Sequence, residues 1–140
     1  MSHLIASKAV ITDLEILKKA VHGSGFLTWN DGETTFRSYY SGESLKQQIN
    51  EIGTCEHSIS INVPGCGGYQ IGVIRRKDGQ GWDLAFDPYD RVAAQKVGAE
   101  CEVVTTLYSE EFIRDWAEKN GFTTERFIDE DGKICMTMSQ

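Results

Sequence analysis

Residues 58–87 have the sequence SISINVPGCGGYQIGVIRRKDGQGWDLAFD, and their pattern decides the predicted fold. Residues 58–63 alternate polar with apolar side chains, residues 69–76 form a longer apolar run, and residues 82–87 alternate again. A period of two is typical of strands, and the glycine-containing residues 77–81 are typical of a hairpin loop. The order predicts an antiparallel meander with one face covered by helices.

Two main helices are predicted to supply that cover. Thr12-Asp13-Leu14-Glu15 is typical of a capping box, in which Thr12 and Glu15 accept from free backbone N–H groups, and Gly23 ends the helix. The second helix is predicted to begin at residues 109–111, where acidic groups complement the helix dipole, and to end at Asn120-Gly121. Shorter elements are predicted as a strand at 8–11 and helices at 45–52 and 91–96.

Two further hairpins are predicted, one before the meander and one near the C-terminus. Asn30-Asp31-Gly32 would join strands at 25–29 and 33–40, because these residues tolerate the positive φ of a tight turn. The acidic turn at 129–132 would join strands at 124–128 and 133–138. The prediction is therefore one α+β domain over residues 1–140, a two-layer antiparallel sheet with two main helices packed on one face.

Composition argues against several classes of function. The 140 residues carry 14 basic and 21 acidic side chains, a net charge of −7, and no basic tract. Binding to duplex nucleic acid is not expected, because it depends on neutralising phosphates. No apolar run reaches the roughly 18–20 residues that span a bilayer and no signal peptide is evident, so we expect no membrane association and a cytoplasmic location. The four cysteines are expected to be reduced.

Three stretches resemble the hypothetical chloroplast reading frame thirty-five family, whose domain has no assigned function. They are Met1-Ser2-His3-Leu4 continuing through residues 11–20, residues 68–76 with 82–85, and residues 117–122 with 131–134. The resemblance implies a small α+β fold, an origin in cyanobacteria, plastids or bacteriophages, and a cytoplasmic or phage setting. It supplies no catalytic motif. In a phage setting, it implies a host-cytoplasmic protein that could sequester a host nucleotide signal.

A cluster of thiol and imidazole groups suggests one alternative function. Cys55, His57 and Cys66 are candidate zinc ligands, or a thiol nucleophile with its base. One residue separates Cys55 from His57, whereas paired zinc ligands are usually two to four residues apart, and Cys66 has no close partner. We therefore expect no catalytic residue, metal or other cofactor, and keep a small Cys/His-dependent hydrolase or zinc enzyme as the alternative.

Basic and aromatic residues suggest the preferred function, a non-enzymatic binding module. Arg75-Arg76-Lys77 is the only basic triplet, and Trp82 and Tyr69 lie on the same predicted hairpin, where charge and stacking would hold a small anionic or nucleotide-like ligand. Surplus aromatic residues favour self-association or contact with a partner protein. Alternation places Asp83 and Asp87 on a solvated face. A structural adaptor without a ligand is a third hypothesis. The aromatic residues assigned to the ligand or the interface are Trp29, Tyr39 and Tyr40.

Overall fold

Seven strands and four helices are present in residues 4–7 and 9–140, which the computed structural model describes. In chain order they are β1 (Ile5–Ala6), α1 (Leu14–Gly23), β2 (Leu27–Asn30), α2 (Gly42–Ile52), β3 (Gly53–Ile61), β4 (Gln70–Arg76), β5 (Trp82–Phe86), α3 (Arg91–Val97), α4 (Glu102–Lys119), β6 (Thr123–Ile128) and β7 (Ile134–Ser139). The predicted α+β class is confirmed.

The five-stranded sheet has the order β1-β5-β4-β3-β2, and every neighbouring pair is antiparallel. Its centre is the predicted meander, in which Ile59 pairs with Ile71 and Val73 with Leu84. A bulge between Cys55 and His57 shifts the register of β3. Residues on either side of that bulge therefore project from opposite faces of the sheet.

Both faces of the sheet carry helices. α1 and α4 pack together on one face, where Leu17 and Tyr108 join the main core, as predicted. α2 lies on the other face, where Leu45 and Ile49 pack with Ile74. Because β4 is apolar on both faces, it needs cover from both sides, which adds a partial third layer that the prediction lacked.

The predicted capping box is wrong in its choice of cap. Asp13 is the N-cap of α1, and its Oδ1 accepts from the backbone N–H groups of Glu15 and Ile16 at 3.0 and 3.3 Å. Thr12 instead donates its backbone N–H to the Tyr108 hydroxyl at 3.0 Å, and Asp13 does the same at 3.1 Å. Thr12 Oγ1 also lies 3.2 Å from the Tyr108 hydroxyl, so a helix distant in the sequence engages the side chain that was predicted to cap α1.

Two predicted boundaries also differ. α4 begins at Glu102 instead of 109–111, and its N-cap, Cys101, is fully buried with a left-handed φ of 59°. The predicted strand at 8–11 includes Lys8, which lies outside the described residues. Ile11 forms only a single bridge, with Trp82.

The predicted hairpin around residues 30–32 is wrong. β2 pairs with β3, with Trp29 opposite Ile59, and residues 33–40 cross the α2 side of the sheet without forming a strand. Phe36 is 3% exposed and lies against Gly72, where an added Cβ would come within 2.3 Å of the ring. Burial of Phe36 on the sheet therefore replaces strand pairing in this segment.

The C-terminal hairpin is confirmed, and β6 and β7 form a separate two-stranded sheet with Phe127 opposite Cys135. It is held to α4 by Arg126, whose Nε donates to Glu110 Oε2 at 3.0 Å, and by stacking of Phe122 on Trp116 at 5.6 Å. None of the helices in the described residues is long and apolar enough to cross a membrane.

Candidate functional site

The pleat of β4 divides the predicted basic triplet. The Arg75 guanidinium lies over the Trp82 ring, 5.4 Å from its centroid, on the side of the sheet that carries α1. Glu56 connects the two residues: its Oε1 accepts from Trp82 Nε1 at 2.7 Å, and its Oε2 lies 3.8 Å from Arg75 Nη1. Arg75 and Trp82 therefore meet as predicted, but the Glu56 carboxylate already pairs with the Arg75 guanidinium.

Arg76 projects to the opposite face and is also neutralised. Its Nη2 lies 3.1 Å from Asp78 Oδ2, and its Nη1 lies 3.4 Å from Asp83 Oδ1. The hydrogen bond with Asp78 is the main cause that raises the Arg76 pKa. Lys77 is exposed in the turn and forms no ion pair with any residue that the structure describes. The three basic side chains do not form one anion site.

Trp29 belongs to a different cluster, with His57. The two rings lie 5.0 Å apart, and Trp29 Nε1 donates to Asp31 Oδ1 at 3.0 Å. The backbone N–H of Gly32 donates to His57 Nδ1 at 3.0 Å, so this nitrogen acts as an acceptor. Hydrogen bonding inside the cluster thus fixes the Trp29 and His57 side chains.

The structure does not bring the candidate zinc ligands together. The Cys55 thiol lies in the α2-side core, whereas the bulge turns His57 to the other face. Burial raises the pKa of Cys55 to about 11, which opposes formation of a thiolate nucleophile. Cys66 donates its thiol to the Ile61 carbonyl at 3.3 Å. Across residues 4–7 and 9–140, no three His, Cys, Asp or Glu side chains have the arrangement of a metal site.

Four tyrosines gather at the end of the sheet where β4 begins and β5 ends. The rings of Tyr39 and Tyr89 lie 5.1 Å apart, and Tyr40 meets Tyr39 edge to face at 5.4 Å. Desolvation, followed by the charge of Asp87, raises the pKa of Tyr69. Tyr39 and Tyr89 are 60% and 62% exposed, so this tyrosine cluster presents aromatic surface to solvent. It includes three predicted ligand residues: Tyr39, Tyr40 and Tyr69.

Asp87 positions the exposed tyrosines. Its carboxylate is fully buried and accepts from the backbone N–H of Tyr39 on Oδ2 and of Tyr89 on Oδ1, each at 3.0 Å. The expectation that Asp83 and Asp87 lie on a solvated strand face is wrong, because residues 36–40 and α2 cover that face. Asp87 therefore fixes two separate loops around the tyrosine cluster.

A polar cleft of about 460 Å3 lies on the α2 side of the sheet, and two of its lining residues, Arg37 and Gln70, are close in sequence to Tyr39 and Tyr69 of the cluster. The segment 33–37 forms one wall, and side chains of three neighbouring strands form the floor. We call it the Arg37 cleft. The lining residues are Asn30, Glu33, Thr35, Phe36, Arg37, Ser58 and Gln70.

Hydrogen bonds hold the floor in place. Asn30 Nδ2 donates to Ser58 Oγ at 3.0 Å and to Ser60 Oγ at 2.9 Å, and Gln70 Nε2 donates to Ser60 Oγ at 3.0 Å. The backbone of Arg37 donates to Gln70 Oε1 and accepts from the Gln70 N–H, both at 2.8 Å. Wall and floor are thus connected, which favours a preformed cleft over one that must be assembled.

Arg37 is the cation of this cleft and lies close to the tyrosines. Its side chain is exposed and passes over Gly68, the residue before Tyr69, and its backbone pairs with Gln70, the residue after Tyr69. It has no carboxylate partner among the described residues. An unpaired guanidinium beside amide and hydroxyl groups can bind an anion by charge-assisted hydrogen bonds.

Arg37, Asn30 and Gln70 line the cleft but are not among the residues that the sequence predicts for a site. The alternation of Ser58 and Ser60 signals a polar strand face, but the wall of the cleft comes from a segment wrongly assigned to a strand. Without that wall the polar face is indistinguishable from an ordinary solvated one.

Comparison with models of protein families, with curated proteins and with solved structures finds no match to this chain. The resemblance to the hypothetical chloroplast reading frame thirty-five family therefore stays a prediction. Part of it, Met1-Ser2-His3, lies outside the described residues.

Proposed function

We propose that this protein is a non-enzymatic binding module that holds a small anionic, nucleotide-like ligand in the Arg37 cleft. The single observation that carries the proposal is the Arg37 guanidinium, which lines a cleft of about 460 Å3 and has no carboxylate partner among the residues that the structure describes. Arg75 and Arg76, the cations favoured by the sequence, each have an acidic partner. Glu33 also lines the cleft, so an anion would be held by direct charge-assisted hydrogen bonds to the Arg37 guanidinium and not by a net positive charge of the cleft.

The neighbouring groups define the rest of the ligand. Asn30 and Gln70 offer amide groups, which suit the hydroxyl or carbonyl groups of a ligand. Tyr39 and Tyr89 offer exposed rings against which a planar group can stack. The volume falls within the range of about 300–1,000 Å3 that is usual for small-molecule sites. An anion joined to a planar, hydrogen-bonding group fits these features together.

Calorimetric titration with a panel of nucleoside mono-, di- and triphosphates tests the proposal. We expect at least one nucleotide to bind the wild-type protein, and Arg37→Ala to weaken its binding at least tenfold. Thermal denaturation gives a second readout, because a ligand at about 100 times its Kd adds roughly 2.7 kcal/mol of stability.

Two variants serve as controls. Lys77→Ala removes one positive charge from an exposed, unpaired side chain outside the Arg37 cleft, so it should leave the Kd unchanged. Arg75→Ala tests the site that the sequence predicted, and it should also bind normally. Binding that survives Arg37→Ala but is lost in Arg75→Ala would move the site to the Trp82 side of the sheet. Absence of binding by any nucleotide would refute the nucleotide-like ligand.

A further inference from the structure

We propose that the surface formed by α4 and the β6–β7 hairpin is an interface with a second copy of this chain, in which β7 pairs with β7 of the partner around a two-fold axis. This inference concerns a surface separate from the Arg37 cleft and does not depend on ligand binding. It rests on the exposure of the hairpin, the apolar groove beside it and the absence of charge on β7.

The hairpin is unusually exposed for a folded element. None of the residues of β6 or β7 is buried, and Phe127, Ile128, Ile134 and Met138 are 47%, 63%, 40% and 48% exposed. A two-stranded sheet is marginally stable alone in water, because it can bury little apolar surface. Exposed apolar side chains at this density are typical of an interaction surface.

An apolar groove lies between α4 and the hairpin. Val103 and Leu107 of α4 and Ile134 of β7 line a cavity of about 250 Å3, which Glu102, Glu110 and Arg126 also line. The register pairs Ile128 with Ile134, and alternation puts both on the same side as Arg126, which contacts α4. The groove and the exposed hairpin face therefore form one continuous apolar surface.

The charge distribution favours a second copy as the occupant. Two chains that each carry −7 repel one another, and contact at an uncharged strand adds no close charge–charge repulsion to that. β7 contains no charged side chain and no proline, the two features that usually prevent pairing at a strand edge. α4 holds β6 through Glu110 and Arg126, and leaves β7 as the outer strand. An edge strand pairs with its own copy in antiparallel orientation when the axis is two-fold.

The available apolar area is consistent with such a dimer. The exposed parts of Val103, Ile128, Ile134 and Met138 amount to on the order of 250 Å2 of apolar surface. One partner in a standard interface contributes about 800 Å2, of which somewhat more than half is apolar. These four side chains therefore supply about half of the apolar area, and the flanks of the hairpin and α4 supply more.

Light scattering coupled to size-exclusion chromatography, over a hundredfold range of protein concentration, tests the proposal. We expect the wild-type protein to elute with twice the mass of one chain, and Ile134→Lys to weaken the dimer at least tenfold. Val92→Lys is the matched control, because Val92 is 39% exposed and lies on α3, outside the proposed interface. A wild-type protein that is monomeric throughout, or an Ile134→Lys variant that dimerises normally, would overturn the proposal.

Cross-linking gives a second test that does not depend on a lysine variant folding. Cys135 lies on β7 and is partly exposed, whereas Cys55 and Cys101 are buried. A short bismaleimide should join two wild-type chains, and the covalent dimer should disappear in Cys135→Ser but persist in Cys66→Ser. Equal cross-linking of Cys135→Ser and wild type would place the interface elsewhere and contradict the pairing of β7.

Discussion

The backbone N–H of Tyr39 donates to Asp87 Oδ2 at 3.0 Å, although 48 residues separate them in the chain. The other carboxylate oxygen accepts from Tyr89, so one buried side chain fixes the two exposed rings of the tyrosine cluster. A carboxylate suits this position because both of its oxygens accept hydrogen bonds and neither donates. The stacking surface proposed for the ligand therefore depends on a residue that the ligand does not touch.

Replacing Asp87 tests this dependence. Asp87→Asn keeps one acceptor but turns an NH2 group toward a backbone N–H, so we expect a loss of about 1–3 kcal/mol in the free energy of unfolding. Urea denaturation measures the change. Asp78→Asn, at an exposed position in the β4–β5 turn, should lose clearly less stability than Asp87→Asn, because solvent screens its ion pair with Arg76. Equal losses in the two variants would show that Asp87 has no special role.

The contact of Phe36 with Gly72 predicts a second effect. Gly72→Ala would place a methyl group within 2.3 Å of the Phe36 ring, so the wall of the Arg37 cleft must move, at a cost of about 1–3 kcal/mol. In a Phe36→Ala background the same change should cost little, because the obstacle is gone. Gly23→Ala is the control: it meets no atom within 4 Å and should be neutral or stabilising by about 0.4–1 kcal/mol. Additive losses for Gly72 and Phe36 would exclude the contact.

The hydrogen bonds to the Tyr108 hydroxyl predict a third effect on stability. The hydroxyl accepts from the backbone N–H groups of Thr12 and Asp13, which joins α4 to the start of α1. Tyr108→Phe leaves both donors without this acceptor, and we expect stability to fall by about 1–3 kcal/mol in thermal or chemical denaturation. Tyr89→Phe removes a hydroxyl from a ring that is 62% exposed, and should change stability by less than about 0.5 kcal/mol. A stable Tyr108→Phe protein would mean that water replaces the hydroxyl.

The Cys55 thiol predicts how stability changes at alkaline pH. Desolvation by burial raises its pKa from 9.0 to about 11, so between these values the folded protein keeps a proton that the unfolded chain loses. The stability that the protonated Cys55 thiol contributes is complete below about pH 9 and is lost as the pH rises toward about 11. Unfolding free energies measured across this range should therefore fall more steeply for wild type than for Cys55→Ala.

Cys66→Ala is the control for that comparison. It also removes one thiol but leaves Cys55 in place, so it should keep the wild-type slope. Parallel slopes for wild type and Cys55→Ala would mean that the Cys55 thiol titrates normally in the folded protein. Lysines and tyrosines titrate in the same range, but they are common to all three proteins, so only the difference between slopes reports on Cys55.

The central meander could be predicted because its information is local. The alternation of residues 58–61 and 82–86, and the turn between β4 and β5, specify strands without reference to the rest of the chain. The C-terminal hairpin was predictable for the same reason. The N-cap of α1 was not, because the choice between Thr12 and Asp13 depends on Tyr108 of α4.

The candidate site was predictable only in part. Tyr39, Tyr40 and Tyr69 are predicted ligand residues, and the structure brings them together with Tyr89, whereas ligand binding by them stays a prediction. The cation was predicted to be in the Arg75-Arg76-Lys77 triplet, where adjacent positions on a strand project to opposite faces. Arg37 has no distinguishing neighbours in the sequence, and its proposed role rests on the absence of a carboxylate partner among the described residues.

The sequence by itself determined the α+β class, the antiparallel meander and the lack of a basic surface, because periodicity, turn residues and charge are properties of short segments. Only the tertiary structure decided which carboxylates meet which cations and which polar strand face stays open. Those outcomes depend on long-range contacts, such as Phe36 on Gly72 and Tyr39 on Asp87, that bring distant segments together. The net charge of −7 is fixed by composition, but the place proposed for an anion depends on which cations have acidic partners in space.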